Sequence, residues 1–95
     1  MKVIWSRRAI RHLTALREFV GRDSEDRSAE LARRILESVD LMQTRPEIGR
    51  PGRVVGTREL VVVGTPYVIP YRVKRGRIEL IAVLHGRQKW PDDIR

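Results

Sequence analysis

The side chains with the greatest capacity for chemistry in this sequence are its arginines. Lysine and arginine number 20 against 12 aspartate and glutamate residues, a net charge of +8, and 17 of the 20 bases are arginine. A guanidinium stays protonated and can form two parallel hydrogen bonds to a carboxylate or a phosphate. Such a surface suits a nucleic acid or an acidic protein partner, although a merely solubilising surface has the same composition. Residues 44–95 hold eleven bases and five acids, and therefore +6 of the +8.

Groups that could transfer protons are scarce. His85 has an unperturbed pKa of about 6.5 and could titrate usefully, whereas His12 has no second metal-type ligand at helical spacing and is predicted to lie at the surface. The sequence has no cysteine, which excludes disulfides and thiolate metal sites and favours a reducing compartment. It also lacks a glycine-rich phosphate loop, an HExxH motif and a nucleophile elbow. We expect no cofactor and no metal.

The length of the chain and its first residues limit the number of domains and the compartment that can be expected. We expect residues 1–95 to form a single domain, because 95 residues lie within the usual range for one domain. The first eight residues contain a three-residue apolar run, far short of a signal peptide or of the ~20 residues that span a bilayer. A soluble, cytoplasmic protein with no membrane partner is predicted.

The first half of the chain has the pattern of two helices. Lys2 to Trp5 predicts a short strand, and Ser6 is a plausible N-cap for a helix that ends at Gly21. A second helix begins at Asp23 or Ser24 and ends before Pro46. The apolar stripes that define these helices contain Ile10, Leu13, Leu16 and Val20 in the first, and Ala29, Leu31, Ala32, Ile35, Leu36, Val39 and Met42 in the second. Two helices joined by a short polar turn are expected to pack antiparallel.

The second half changes to the period of β-strands. Residues 46–56 contain two prolines and three glycines and predict a loop, which also carries Arg50 and Arg53. Three strands are then predicted: Arg58 to Val63, Tyr67 to Val73, and Arg77 to His85. The fold class is therefore α+β: a short N-terminal strand, an antiparallel two-helix hairpin and a three-stranded antiparallel sheet.

A turn at Arg75-Gly76 would fix the register of the second hairpin. It places Val73 opposite Ile78, Tyr71 opposite Leu80, and Arg72 opposite Glu79. One face is then apolar and should pack on the helices; it comprises Tyr67, Ile69, Tyr71, Val73, Ile78, Leu80, Ala82 and Leu84. The other face holds Val68, Pro70, Arg72, Glu79, Ile81, Val83 and His85. Because Pro70 cannot donate to a ladder, it requires an outward position or a bulge.

Three strings stand out within this arrangement: Thr57-Arg58-Glu59-Leu60, Tyr67-Val68-Ile69-Pro70-Tyr71-Arg72-Val73, and Val83-Leu84-His85-Gly86-Arg87 leading to Trp90-Pro91. Together they resemble the RelE/ParE superfamily of toxins from bacterial type II toxin-antitoxin systems. The resemblance covers nearly the whole chain. The Ile-Pro-Tyr-Arg-Val string and the His-Gly-Arg exit are more similar to the ParE branch than to the ribonuclease branch.

The two branches imply different chemistry. A RelE-like, metal-free mRNA endoribonuclease needs a base, an acid and cations that stabilise a dianionic phosphorane. The resemblance to the ribonucleases assigns the cations to Arg58, Arg72 and Arg87, with His85 as a weak candidate for proton transfer. Residues 88–95 contain no tyrosine or histidine where the ribonucleases often have one. Resemblance to the ParE branch instead implies a non-enzymatic inhibitor of DNA gyrase, with Arg72, Arg87 and Trp90 binding the target.

Each of these residues also has a purely structural interpretation. Arg72 could form a cross-strand ion pair with Glu79. Arg58 and Arg87 could be solvated charges, and His85 a satisfied edge residue. Trp90 with Pro91 could anchor the tail to the domain. A third hypothesis is a non-toxic module that binds nucleic acid, against which the lack of stacking aromatics beside Arg72 counts.

The resemblance also implies partners. A cognate ParD-like antitoxin is expected, in hetero-oligomeric complex with this chain, and an acidic antitoxin tail would complement the arginine-rich surface. Candidate contacts for its helix are Leu13, Leu16, Leu31 and Ile35, each of which could equally belong to the core. Operator DNA would be contacted only through the antitoxin. The target would be DNA gyrase, or the ribosome and mRNA in the alternative.

Overall fold

The computed structural model describes residues 1–90 and confirms an α+β fold. The elements are β1 (Lys2–Trp5), α1 (Arg7–Gly21), α2 (Glu25–Thr44), β2 (Arg50–Pro51), β3 (Arg58–Val61), β4 (Tyr67–Lys74), β5 (Arg77–Leu80) and β6 (Leu84–His85). The described residues contain no helix that is both long and apolar enough to cross a membrane. The predicted strand, helical hairpin and strand-rich second half are therefore present, in that order.

The helical hairpin begins at the two predicted caps. The side chain of Ser6 accepts a hydrogen bond from the Ala9 N–H, and that of Ser24 accepts one from the Arg27 N–H. Each cap satisfies a backbone donor that has no partner within its own helix. The hydroxyl of Ser28, which is buried in α2, donates to the Arg17 carbonyl of α1 at 2.8 Å. This bond ties the two helices together near their connection.

The sheet has more strands than the predicted one, and one of its strand pairs is parallel. Its order is β1-β5-β4-β3-β2, and β6 pairs with β4. The sheet is mixed, because β1 runs parallel to β5 while the remaining pairs are antiparallel. The prediction of three antiparallel strands was therefore incomplete: β1 joins the sheet, a short β2 forms inside the predicted loop, and the last predicted strand is interrupted.

The core lies between the helices and one face of this sheet. Tyr71, Ile69, Ile78 and Leu80 are completely buried on the sheet side, as the alternating pattern predicts. The helices contribute Ala9, Leu16, Ile35, Val39 and Met42. Val73, which was predicted on the same face, remains 42% exposed near the end of β4.

The last predicted strand is broken by a bulge. The register from Tyr71 to Lys74 agrees with the prediction, but farther along β4 Val68 pairs with Leu84. Three residues, 81–83, therefore stand opposite Ile69 and Pro70, where an uninterrupted strand would have two. An extra residue of this kind moves the side chains that follow it to the other face of the sheet.

Two of the predicted core positions were consequently wrong. Val83, not Ala82 or Leu84, packs in the core beneath the helices. Ala82 and Leu84 form a second apolar cluster with Ile81. The physical reason is Pro70, which has no N–H to donate and only accepts from the Ile81 N–H at 2.9 Å.

The bulged segment is fastened to α1 by His12. This side chain was predicted to lie at the surface, but it is half-buried and its Nδ1 accepts the Val83 N–H at 3.2 Å. Burial, followed by the nearby charges of Arg8 and Arg11, lowers the pKa of His12. The neutral ring that accepts this bond is thus favoured.

Tyr71 joins the sheet to the segment that follows α2. Its hydroxyl donates to the Pro46 carbonyl and accepts the Gly49 N–H, each at 2.8 Å. Position 49 has to be glycine because a Cβ would lie 2.7 Å from Cε1 of the tyrosine ring. Burial raises the pKa of Tyr71, so the hydroxyl stays protonated and able to donate well into alkaline pH.

Replacing this hydroxyl should destabilise the fold. We expect Tyr71→Phe to lower the free energy of unfolding by about 1–3 kcal/mol, because two backbone groups lose their partner. Urea denaturation would measure the change. Tyr67→Phe is the matched control: the Tyr67 hydroxyl has no hydrogen bond within residues 1–90, and its loss should change stability by less than about 0.5 kcal/mol. Equal effects of the two substitutions would contradict the role assigned to Tyr71.

Candidate binding face of the sheet

The sheet face turned away from the helices collects charged side chains from four segments. Directly opposed residues lie on one face, and Arg72 stands opposite Glu79 while Glu59 stands opposite Pro70 and Arg50. Pro70 and Arg72 are two residues apart on β4 and so share a face, opposite to that of Tyr71. We call the group formed by Arg50, Arg53, Glu59, Arg72 and Glu79 the arginine face.

Glu59 organises this face, although it was not among the predicted site residues. It is 3% exposed. One carboxylate oxygen accepts from the Arg50 guanidinium at 3.2 Å, and the other accepts from the Arg53 backbone N–H at 3.1 Å and lies 3.6 Å from the Arg53 Nε. A single buried carboxylate thus holds the loop that carries both arginines. Its position opposite Pro70 was the available signal, but only once the β3–β4 register was known.

Arg53 and Trp90 close one end of the arginine face. The Arg53 guanidinium lies 5.8 Å from the centre of a Trp90 ring and donates to the Gln88 carbonyl at 3.3 Å. Trp90 is half-buried and packs, with Val54, on the second apolar cluster of Ile81, Ala82 and Leu84. These contacts agree with an anchoring role for Trp90 within the fold.

Arg72 forms the cross-strand pair that its register predicted. Its Nε lies 3.5 Å from a carboxylate oxygen of Glu79, and their side chains are 26% and 34% exposed. The guanidinium is therefore held in a defined place on the arginine face while part of it stays accessible.

Arg58 lies on the opposite side of the sheet. It stands opposite Tyr71, and its guanidinium donates to the Gly49 carbonyl at 2.8 Å and to the Glu47 carbonyl at 3.3 Å. The same short segment is bound by the hydroxyl of Tyr71. Arg58 therefore secures the backbone after α2 and does not meet Arg72.

His85 and Arg87 lie near the far end of β4. His85 stands opposite Tyr67, and its ring packs edge-on against that tyrosine with 5.7 Å between centroids. Its Nδ1 accepts the Arg87 N–H at 3.2 Å, and the Arg87 side chain is exposed. Tyr67 and Arg72 are separated by roughly 17 Å of strand. The structure therefore does not bring Arg58, Arg72 and Arg87 into one site.

The four residues predicted to contact an antitoxin differ in accessibility. Ile35 is completely buried and Leu16 is 8% exposed, whereas Leu13 and Leu31 are half-buried. Leu31 lines an open groove of about 360 Å³ with Asp26, Arg27, Glu30, Arg34, Gly64 and Thr65. A neighbouring groove of about 370 Å³ is lined by Arg33, Arg34, Glu37, Ser38, Leu41 and Val63. Within residues 1–90, no group of three histidine, aspartate or glutamate side chains could hold a metal ion.

Removing the charge of Glu59 should loosen the arginine face. We expect Glu59→Gln to lower the free energy of unfolding by about 1–3 kcal/mol, because a buried site loses its charge-assisted bonds to Arg50 and Arg53. Glu79→Gln, which removes a more exposed carboxylate from the same face, should cost less than about 1 kcal/mol. Urea denaturation compares the two, and hydrogen exchange should show faster exchange of the Arg53 N–H in Glu59→Gln alone. A larger loss in Glu79→Gln would contradict this assignment.

Comparison with known proteins agrees with this architecture. The family described as "ParE toxin of type II toxin-antitoxin system, parDE" matches residues 3–90. A relative from Sinorhizobium fredii, "Putative toxin Y4kP", is 40% identical over 90 residues, which cover 95% of this chain and 93% of the relative. "Toxin RelE2" from Caulobacter vibrioides is 37% identical over 85 residues, covering 90% of this chain and 94% of that protein.

A solved structure shares the fold. A chain described as "Chromosomal ParDE TA system from P. aeruginosa" superposes with a TM-score of 0.80 at 27% identity, covering 90% of this chain and 95% of that one. The family match spans most of the chain, and the relatives are covered nearly end to end. This chain is therefore a member of the ParE toxin family, the toxins of type II toxin-antitoxin systems within the RelE/ParE superfamily.

Proposed function

We propose that this toxin acts in the cytoplasm as a non-enzymatic inhibitor of DNA gyrase and is neutralised by a cognate ParD-like antitoxin. The observation that carries the non-enzymatic part is the separation of the three arginines that RNA cleavage would need together. Arg58 is bound to two backbone carbonyls on the helix side, and Arg87 lies at the far end of β4 from Arg72. Membership of the ParE family supports gyrase as the target.

Target binding would use the accessible cations of the sheet. The partly exposed Arg72 is fixed by Glu79, and Arg87 extends from the strand exit. Trp90 would contribute the exposed part of its ring beside Arg53. Because Arg72 is held in position before binding, little conformational entropy is lost when a carboxylate or phosphate approaches it.

The alternative is a RelE-like ribosome-dependent mRNA endoribonuclease. One observation favours it: Arg50, Arg53 and Arg72 share one face and could stabilise a phosphorane together. The reaction also needs a base and an acid. Guanidinium groups stay protonated, the His12 Nδ1 accepts the Val83 N–H, and the His85 Nδ1 accepts the Arg87 N–H. We therefore rank this mechanism second.

Expression of the chain alone in bacteria separates the two mechanisms. We expect induction of the SOS response and gyrase-linked DNA breaks, with intact mRNA at early times. Arg72→Ala and Arg87→Ala, made separately, should each abolish toxicity while retaining antitoxin binding, because they remove proposed target contacts and neither residue lines the grooves beside α2.

Glu79→Ala is the matched control for Arg72. It removes the same ion pair but keeps the Arg72 guanidinium. If Glu79→Ala stays toxic while Arg72→Ala does not, the loss of toxicity comes from the missing contact between Arg72 and the target, not from the missing ion pair. Early arrest of translation with cleaved mRNA would favour the ribonuclease. Full toxicity of both arginine variants would refute the proposed target contacts.

The antitoxin would dock on the trough formed by the two grooves beside α2, which share Arg34. This trough offers Leu31 and Leu41 together with Val63, which is 81% exposed. Three bases (Arg27, Arg33, Arg34) and three acids (Asp26, Glu30, Glu37) line the trough around these apolar side chains, which suits an amphipathic partner segment with charges of both signs. Ile35 and Leu16 would support the trough from below and not touch the partner.

Antitoxin binding should therefore be sensitive to the trough. We expect the wild-type chain to bind its ParD-like antitoxin at nanomolar affinity or better, and Leu41→Glu or Val63→Glu to weaken binding at least about tenfold. Val55→Glu is the control, because Val55 is 99% exposed and lines neither groove. Calorimetry measures the affinities. Separate elution of the mixed wild-type proteins in gel filtration would contradict the partnership, and equal losses in all three variants would contradict its location.

A further inference from the structure

A row of like charges crosses three adjacent strands at one end of the sheet. Lys2 of β1 stands directly opposite Arg77 of β5, and Arg77 stands directly opposite Lys74 of β4. Directly opposed side chains point to the same face and lie about 4.5–5.5 Å apart at their Cβ atoms. Since Arg77 and Glu79 are two residues apart on β5, this row lies on the same face as Arg72.

The row has no electrostatic compensation within residues 1–90. Lys2, Lys74 and Arg77 are exposed, and none of them forms an ion pair or a side-chain hydrogen bond with the described part of the chain. The next position along this face of β5 is Glu79, whose carboxylate is paired with Arg72. Directly opposed like charges destabilise a sheet, so the row works against the fold that displays it.

The adjoining turn places a fourth cation at the same end. Arg75 and Gly76 both have positive φ, 54° and 73°, which is the two-residue hairpin turn that favours asparagine or aspartate followed by glycine. An arginine at its first position is held in the left-handed region, where a side chain with a Cβ is disfavoured. Departures from local rules such as these concentrate at functional sites.

We infer that Lys2, Lys74, Arg75 and Arg77 form a binding site for the phosphodiester backbone of a nucleic acid. The row from Lys2 to Lys74 spans about 10 Å, two inter-strand spacings, which corresponds to about three phosphates of one strand at 3.4 Å each along the helix axis. Backbone contacts of this type need no stacking aromatic, and they position a protein without reading sequence. The inference is independent of the gyrase proposal and leaves operator recognition to the antitoxin.

An acidic protein segment is the competing ligand, and the composition of the row favours nucleic acid. Protein partners gain affinity by burying apolar and aromatic anchors, whereas the four members of this site are all charged and exposed. A nucleic acid gains affinity through release of condensed counterions and needs only cations at phosphate spacing. The antitoxin trough, by contrast, combines apolar side chains with charge.

The test is the salt dependence of binding by the full-length chain. Fluorescence anisotropy with a labelled 20-base-pair DNA duplex, and with single-stranded DNA and RNA of the same sequence, should show binding to at least one. The triple variant Lys2→Gln, Lys74→Gln, Arg77→Gln should weaken that binding at least about tenfold at 0.1 M salt and reduce the slope of log K against log salt by about 2.7 for duplex. The preferred probe identifies which nucleic acid supplies the phosphates.

A second triple variant with the same net charge is the control. Arg7→Gln, Arg11→Gln, Arg22→Gln removes three exposed charges at α1. It should change the slope of log K against log salt by less than about one third of the change in the first triple variant, because it alters only the net positive field of the protein. Equal losses in both triple variants, or no binding to any probe at low salt, would overturn the inference. Tighter binding of polyglutamate than of every nucleic acid would overturn it as well.

Thermal unfolding distinguishes a binding role from a structural one. Because the row is a source of cross-strand repulsion, the Lys2, Lys74, Arg77 triple variant should have a Tm equal to or above that of the unmodified chain at low salt. A clear fall in Tm would show that these side chains support the sheet and would contradict the inferred role.

Discussion

The placement of the arginine face depends on how the chain is held as it leaves α2. Tyr71 binds the Pro46 carbonyl and the Gly49 N–H from the helix side of the sheet, and Arg58 binds two further carbonyls there. Beyond Gly49 the chain forms β2 at the sheet edge, and Glu59 then holds Arg50 and Arg53 on the other face. Arg58 and Glu59, adjacent residues of β3, thus bind the same loop from opposite faces of the sheet. The two faces are coupled through β3 and β4.

Sequence reasoning succeeded where a single local rule decided the outcome. The caps at Ser6 and Ser24 follow from their side chains, and the register of Arg72 with Glu79 follows from a two-residue turn. It failed at Ala82 and Leu84 because period-two alternation contains no signal for an inserted residue. The possibility of a bulge followed from Pro70, but its location required the pairing of β6 with β4.

The site was less predictable than the fold, since its chemistry depends on non-local contacts. Arg58 and Arg72 are similar arginines in similar strands, and only the β3–β4 register places them on opposite faces. Glu59 is buried by a loop whose conformation could not be predicted from the pattern of residues. The positive charge is consequently divided: Arg58 binds backbone carbonyls, Arg50, Arg53 and Arg72 are restrained by carboxylates, and the row beside the Arg72–Glu79 pair has no such restraint within residues 1–90. Net charge alone could not distinguish these three situations.

The bulge at residues 81–83 also has a consequence for how this chain can evolve. One strand segment supplies Val83 to the core under the helices and Leu84 to the cluster beneath Trp90, and the extra residue decides which of the two faces the core. Many apolar residues could occupy either position at little cost. A single deletion, however, would shift all later side chains to the wrong face. Natural selection should therefore tolerate substitutions in this segment while keeping its number of residues constant.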